Sequence, residues 1–449
     1  MGAAPPGTGY TAKRLNLPPD ILPSAMTSCP DGTVMVGSMD GDVYRLVDAN
    51  RDGTPETYAR WAGTLSHWPL GMAADGDDVL ISIKGALVRL SDQDHDGWAE
   101  KWSNITDAWD VTKDHHDWTT GIAPYFGPGG GWIVAPATDD VRAKDVKGRH
   151  YMRGKAVRVG RDGKTEILAD GLRYSTGWAT RPSDGLVFFT DNQGQQKTTC
   201  EINRLVPGGW YGYPSQADNP AGHEKSYVVP TVRIPYPWAR SVNGLTFINA
   251  NGRFGPIDGH LILCEYNNRL ILRASLDKVD GTIQGACYPF LENLLGPVAL
   301  TFDNKGVLYV GSLREPAWGG EPEQGAVFQV VHDAKPHPGI REVKARPNGF
   351  QVDFFDKLES HASWLDAKSF KVRRYHHVFA GSYHSPPIDE EILYVRSVKA
   401  RADGQGVNLT MAEPLIPDRI YEVRLLDSTA KPDVAHYTMT VVPKTAGSD

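Results

Sequence analysis

Short β-rich runs broken by Asp-Gly, Asn-Gly and Gly-Gly turns recur along this chain at a spacing of roughly 40–50 residues, the period of a four-stranded propeller blade. The clearest copies are Ser28-Cys-Pro-Asp-Gly-Thr-Val-Met-Val-Gly37 and Gly71-Met-Ala-Ala-Asp-Gly-Asp-Asp-Val-Leu-Ile-Ser82. Weaker copies span Gly121–Ala135, Gly177–Thr190, Gly244–Cys264 and Pro297–Gly311. Asp-Gly suits the tight hairpin between two apolar strands, because its glycine takes positive φ without strain. Six copies predict an all-β chain with a six-bladed β-propeller over 22–331, after an N-terminal extension, 1–21. Seven blades follow instead if Tyr10–Pro23 or Tyr227–Pro237 contributes extra strands.

The repeat stops near Val331. His332-Asp-Ala-Lys-Pro-His-Pro-Gly339 reads as a linker, since its prolines and glycine cannot continue a sheet. Alternation returns in another style over 340–449, as in Gly349-Phe-Gln-Val-Asp-Phe-Phe355 and Ile420-Tyr-Glu-Val-Arg-Leu-Leu426. That stretch predicts a small C-terminal β-sandwich domain.

Composition narrows the function classes. The 449 residues hold 47 glycines and 32 prolines, about 18% of the chain against a usual ~12%, so the chain turns often. Lys and Arg total 47 and Asp and Glu 54, a net charge of −7. That balance argues against nucleic acid or an anionic membrane as partner, since either needs a basic surface. No apolar run approaches the ~18 residues of a membrane span. Met1 to Tyr10 carries neither a basic region nor an apolar core, so no signal peptide is read there. Cys29, Cys200, Cys264 and Cys287 show no zinc or redox spacing; four thiols or one bridge are both open.

Two acidic loops match each other. Asp48, Asn50, Asp52 and Glu56 repeat as Asp92, Asp94, Asp96 and Glu100, each with a glycine after the third member. Oxygen ligands at alternate positions bring hard donors onto one cation, so both loops are candidate structural calcium sites. A solvated acidic turn is the plainer reading. Each loop joins the third strand of a blade to the fourth, on the face opposite the start of the innermost strand.

The other face collects the chemistry. The loops leading into the innermost strands supply His67 and Trp68, then His115, His116 and Trp118, then Arg173 and Tyr174, then Arg240 and Asn243. The loops between second and third strands supply Lys84, Asp191, Asn192, Gln193, Glu265, Arg314 and Trp318. Such a ring at the channel mouth is a common ligand site. Each member also has a structural reading: a blade tryptophan can be core, and Arg173 can pair with Asp170 or Asp191.

At these residues the chain resembles a known family. Ala169-Asp-Gly-Leu-Arg-Tyr-Ser-Thr-Gly177, Gly185-Leu-Val-Phe-Phe-Thr-Asp-Asn-Gln-Gly194 and Cys200-Glu-Ile-Asn-Arg-Leu-Val-Pro-Gly-Gly-Trp-Tyr-Gly-Tyr-Pro214 look like the fourth blade of soluble quinoprotein glucose and sorbosone dehydrogenases. Lys113-Asp-His115 resembles the segment carrying their catalytic base. The resemblance implies a six-bladed propeller, pyrroloquinoline quinone (PQQ), calcium, a sugar or polyol substrate and a secreted or periplasmic location. His115 would be the base, Arg173 and Arg314 would hold cofactor carboxylates, and Trp178 or Trp318 would stack. Tyr375-His-His and Gly381-Ser-Tyr-His-Ser-Pro386 resemble the small β-domain that follows such propellers in large secreted bacterial proteins. No CxxCH haem motif occurs, so the electron acceptor is external.

The chain also departs from that family. Arg173-Tyr-Ser stands where it has Arg-Asn-Pro, Gly194-Gln where it has Gly-Pro, and His67 and His116 have no counterpart. Two other functions therefore stay open. One is a polysaccharide lyase or hydrolase acting on uronate-containing glycans, with His115, His116 and Tyr174 moving protons beside Arg173. In that version His67, His115 and His116 with Glu265 or Gln193 could hold a transition metal. The other is a non-catalytic glycan-binding propeller.

Overall fold

The computed structural model describes residues 9–63, 65, 68–111, 118–137, 152–194, 197–213, 227–316, 322–335, 337–381 and 383–444. Six four-stranded antiparallel blades surround a channel, and the fifth belongs to a larger sheet. Their innermost strands are Pro23–Ser28, Gly71–Asp75, Thr119–Pro124, Trp178–Thr180, Val242–Phe247 and Pro297–Phe302. Each touches the next, and the last touches the first. A cavity of about 480 Å³ runs between them.

The glycines that begin four of the sequence copies explain how the ring closes so tightly. A Cβ on Gly121 would sit 2.2 Å from the Trp178 ring, and one on Gly177 2.1 Å from the carbonyl of Asn243. Neighbouring inner strands approach through the space a side chain would fill. The Asp-Gly hairpins behave as their sequence asks. Gly32 takes φ +94°, and the Asp31 carboxylate accepts the Thr33 N–H at 2.8 Å.

The blade count is six, and the two segments that could have made a seventh complete other blades. Tyr10–Arg14 pairs with Gln324–His332 as the outer strand of blade six, while Val232–Ile234 is the outer strand of blade four. The N-terminal extension is thus part of the ring, which it closes by joining the first described strand to the last blade.

The C-terminal residues form a sandwich, with one difference from the expected separate module. One sheet is self-contained, with Ile340–Arg346, Gly349–Phe354, Gly406–Met411 and Val395–Ala400. The other grows directly from blade five, whose two outer strands, Leu270–Val279 and Thr282–Leu291, run ten residues each. Gly285, Ala286 and Cys287 pair with Thr438, Tyr437 and His436 on the strand Val434–Met439. Their overlength has a purpose: the propeller half packs in the ring, and Val279, Ala286 and Tyr288 enter the sandwich core beside Val352, Val423 and Tyr437. Arg273, fully buried, donates to the carbonyls of Arg341 and Ile340 at 2.6 and 3.1 Å across this seam. All four cysteines are free thiols, Cys29 half-buried and the others buried. Among the described residues no helix is long and apolar enough to cross a membrane.

Candidate functional site

The mouth is built on a buried carboxylate. Asp191 ends the second strand of blade four, fully buried. Its two oxygens accept the backbone N–H groups of Arg173 at 3.1 Å and Tyr174 at 2.7 Å. The turn Arg173–Tyr174 is therefore pinned from below. Lys197 lies 2.8 Å from Asp191 and 2.8 Å from Glu201, all three nearly inaccessible. Burial alone would lower the Lys197 ammonium, but the two flanking carboxylates outweigh it and raise its pKa. Arg233 extends the network, 3.4 Å from Glu201.

Arg173 does not pair with Asp170, which binds Lys155 at 2.9 Å instead. Its guanidinium donates to the Gln193 carbonyl at 3.1 Å and to the Tyr383 hydroxyl at 2.7 Å. Its Nε is buried without a hydrogen-bond partner. The side chain fits only because residue 194 is glycine, where a Cβ would stand 2.4 Å from Nε. The glycine that the chain shares with the resembled family thus makes room for the arginine.

Three aromatic rings pack in a row beside the Arg173–Tyr174 turn, the middle one, Trp118, only 2% exposed and so core like Trp178. Trp68 and Trp118 meet edge to face at 4.9 Å, and Trp118 lies 5.8 Å from Tyr174. Trp68 is half-buried and holds φ +47°, a costly backbone for a bulky residue. Beneath them Arg153 donates to the carbonyls of Asp110 and Ala137, and burial pulls its pKa down to about 9.

The remaining candidates divide. Lys84 and Arg314 are half-buried and Arg240 exposed; Lys84 sits in the turn after the second strand of blade two, and Arg314 ends the second strand of blade six. Asn243 turns back to the Ser241 carbonyl at 2.9 Å. Trp178 stacks on Phe189 at 4.6 Å and donates to Ser175, which makes it channel wall and core and not a stacking platform. Glu265 accepts the N–H groups of Arg240, Ser241 and Asn268, so its oxygens are occupied by backbone and unsuited to a metal. Burial raises its pKa against the pull of those N–H groups. His67, His115, His116 and Trp318 lie outside the described residues.

Sequence reasoning missed two members. Tyr383 and His384 come from the sandwich, about 150 to 210 residues along the chain from the groups they touch. The imidazole of His384 stacks on Tyr236 at 3.6 Å and 10°, and the backbone N–H of His384 donates to Gln193 Oε1 at 3.0 Å. The signal was Ser-Tyr-His-Ser between a glycine and prolines, a polar loop carrying two rings with no core to bury them.

The acidic loops share one backbone. Arg51 and His95 both take positive φ, as do Gly53 and Gly97. Asp48 accepts the N–H groups of Asp52 and Gly53, and Glu56 those of Ala49 and Asn50. In the second loop Asp92, Asp94 and Glu100 can each turn an oxygen within 4.8 Å of the others, and Asp92 Oδ1 is buried with no hydrogen-bond partner. Ligands of one calcium ion stand no farther apart than about twice a calcium–oxygen bond, so these three oxygens can share an ion. Asp96 instead caps its own turn through the Trp98 N–H.

Solved structures share the fold. A Thermus thermophilus protein described as an oxidoreductase (glucose dehydrogenase) aligns with TM-score 0.56 at 19% identity, over 72% of this chain and all of its own. The calcium structure of a Trichoderma reesei carbohydrate-active enzyme of family AA12 gives 0.55 at 15%, over 74% of this chain and 98% of that one. The PQQ domain of a Coprinopsis cinerea pyranose dehydrogenase gives 0.54 at 14%, over 74% and 100%. At these identities the likeness is one of fold, the quinoprotein sugar dehydrogenase propeller. No curated protein matches the chain by sequence. Residues 24–287, more than half of the chain, match the family described as a domain of unknown function, DUF7133, and the chain belongs to that family.

Proposed function

We propose that the chain is a sugar or polyol oxidoreductase that works with PQQ at the propeller mouth and passes electrons to an external acceptor. Arg173 carries the reading. Asp191 accepts its backbone N–H, its neighbour Tyr174 begins the row of aromatic rings, and it keeps one buried N–H without a partner. A planar guanidinium with an unsatisfied donor suits a carboxylate, and a flat polycyclic acid suits the tryptophan row.

The residues present fit such a group. Arg173 would bind one of its carboxylates, with Arg314 and Lys84 adding positive charge from neighbouring loops. The half-buried Trp68 and Tyr174 would cover it and exclude water, with the buried Trp118 packed between them. When bound, PQQ accepts the two electrons and hydrogen removed from a sugar carbon. The chain's own task is the proton: a neutral histidine takes it from the sugar hydroxyl, and His115 is the candidate. Lys197, Asp191 and Glu201 keep Arg173 in register. Calcium in the Asp92–Glu100 loop would be structural, on the far face. Action on sugars outside the cytoplasm is part of this reading.

The test is dye reduction over a panel of aldoses and polyols, with PQQ and calcium added. Reduction that requires PQQ and falls at least tenfold in Arg173→Ala supports the reading. Absence of reduction, with unsaturated products absorbing in the near ultraviolet from uronate glycans, would replace it with the lyase.

A further inference from the structure

We propose that the sandwich completes the sugar site: Tyr383 and His384 form one wall of the propeller mouth and hold the pyranose ring. This rests on the sugar reading above but not on the quinone. The two residues sit on the loop between the strands Phe370–His377 and Pro387–Leu393. The loop has a rigid foot. Ser385 is fully buried, and its carbonyl lies 2.9 Å from Nδ1 of His377.

Three contacts fix the tip on the propeller: Tyr383 to Arg173, His384 to Tyr236, and the His384 backbone N–H to Gln193. Each propeller partner belongs to blade four or to the loops that enter and leave it. His384 holds φ +61°, a left-handed backbone that persists where surroundings over-determine it and that clusters at binding sites.

An interface that only glued two domains would bury these rings. Tyr383 instead keeps 48% of its surface exposed, and His384 is exposed as well. The wall therefore presents ring faces, a phenol hydroxyl, an imidazole and the Arg173 guanidinium to the mouth. That set matches a pyranose, whose C–H face packs on an aromatic plane while its hydroxyls meet donors and acceptors at the edge. Because the wall stands on one side only, it selects among sugars by shape. The sandwich is then a specificity element.

The experiment measures sugar binding by the full chain without PQQ, by saturation-transfer NMR with D-glucose, D-xylose and cellobiose. Tyr383→Ala, Tyr383→Phe and His384→Ala are compared with wild type. Tyr394→Ala, an exposed tyrosine of the sandwich away from the loop, is the control. The proposal expects Tyr383→Ala to weaken the best sugar about tenfold and Tyr383→Phe about threefold, with the control unchanged. Thermal unfolding of the Tyr383→Phe variant, which keeps the ring, guards against mistaking a folding defect for a binding loss. Equal binding by wild type and all wall variants overturns the proposal, and so does the absence of binding to any of the three sugars. Wall-dependent sugar binding in a protein that takes up no PQQ leaves the wall standing and removes the quinone reading alone.

Discussion

Lys197 Nζ lies 2.8 Å from Asp191 Oδ2, with both side chains buried beneath the mouth. The same carboxylate holds the backbone of Arg173 and Tyr174, so a charge pair in the blade interior sets the position of the arginine proposed to bind the ligand. Lys197→Met takes the ammonium from two buried carboxylates, leaving Asp191 its backbone N–H groups and Glu201 the more distant Arg233. Removing one partner of such a pair costs about 3–5 kcal/mol, which urea unfolding would read as a lower midpoint. An unchanged midpoint would mean the network contributes nothing to the mouth.

Gly194→Ala tests the fit of Arg173 without touching its charge. The added Cβ would meet Nε at 2.4 Å and push the guanidinium aside. The backbone there is ordinary, so stability should change by less than ~1 kcal/mol. Affinity for PQQ should fall at least tenfold, as it should in Arg173→Lys, which keeps charge but loses the planar fork. Wild-type affinity in both variants would place the cofactor elsewhere.

Calcium should stabilise the fold through the second acidic loop more than the first. The carboxylates of both loops accept backbone N–H groups, but Asp92, Asp94 and Glu100 converge and Asp92 Oδ1 is buried without a hydrogen-bond partner. Calcium at a hundredfold over its dissociation constant would add ~2.7 kcal/mol, visible as a rise in melting temperature that a chelator reverses. Asp92→Asn should abolish most of that rise, and Asp48→Asn little of it. A rise untouched by Asp92→Asn would assign the ion to another site.

The seam should weaken in acid. His436 pairs across it with Cys287, lies 2.7 Å from the Tyr375 hydroxyl, and is pushed down to about 3 by burial, against the pull of Glu422. Its folded pKa is below the unfolded one, so its contribution is complete above pH 6.5 and is lost as pH falls. Two units below the ordinary histidine value, near pH 4.5, the loss reaches ~2.7 kcal/mol. Unfolding of wild type and His436→Gln across pH 7 to 4.5 should show a steep curve for the first and a flatter one for the second.

The blades were legible because their grammar is local. An Asp-Gly turn needs its glycine, and an inner strand needs a small residue where the next strand passes, so Gly71, Gly121, Gly177 and Gly244 mark the repeat. Arg173 was legible for a related reason, since loops on one face of a propeller converge. Ring closure by Tyr10–Arg14 was not, because that pairing spans the whole propeller and leaves no local trace. Trp178 and Glu265 were misplaced because a loop position does not tell a side chain facing the channel from one turned under it. The meeting of Tyr383 with Arg173 was beyond reach for the same reason as ring closure. It depends on blade five growing into the sandwich, a junction set by the length of two strands.

The most direct test of the central claim is an optical titration of the calcium-loaded protein with PQQ, followed by addition of D-glucose and other aldoses. A stoichiometric spectral shift, abolished by Arg173→Ala and then altered by a sugar, is the result this account predicts. A spectrum that stays that of free PQQ at every ratio, in a protein that binds calcium and is fully folded, would contradict it.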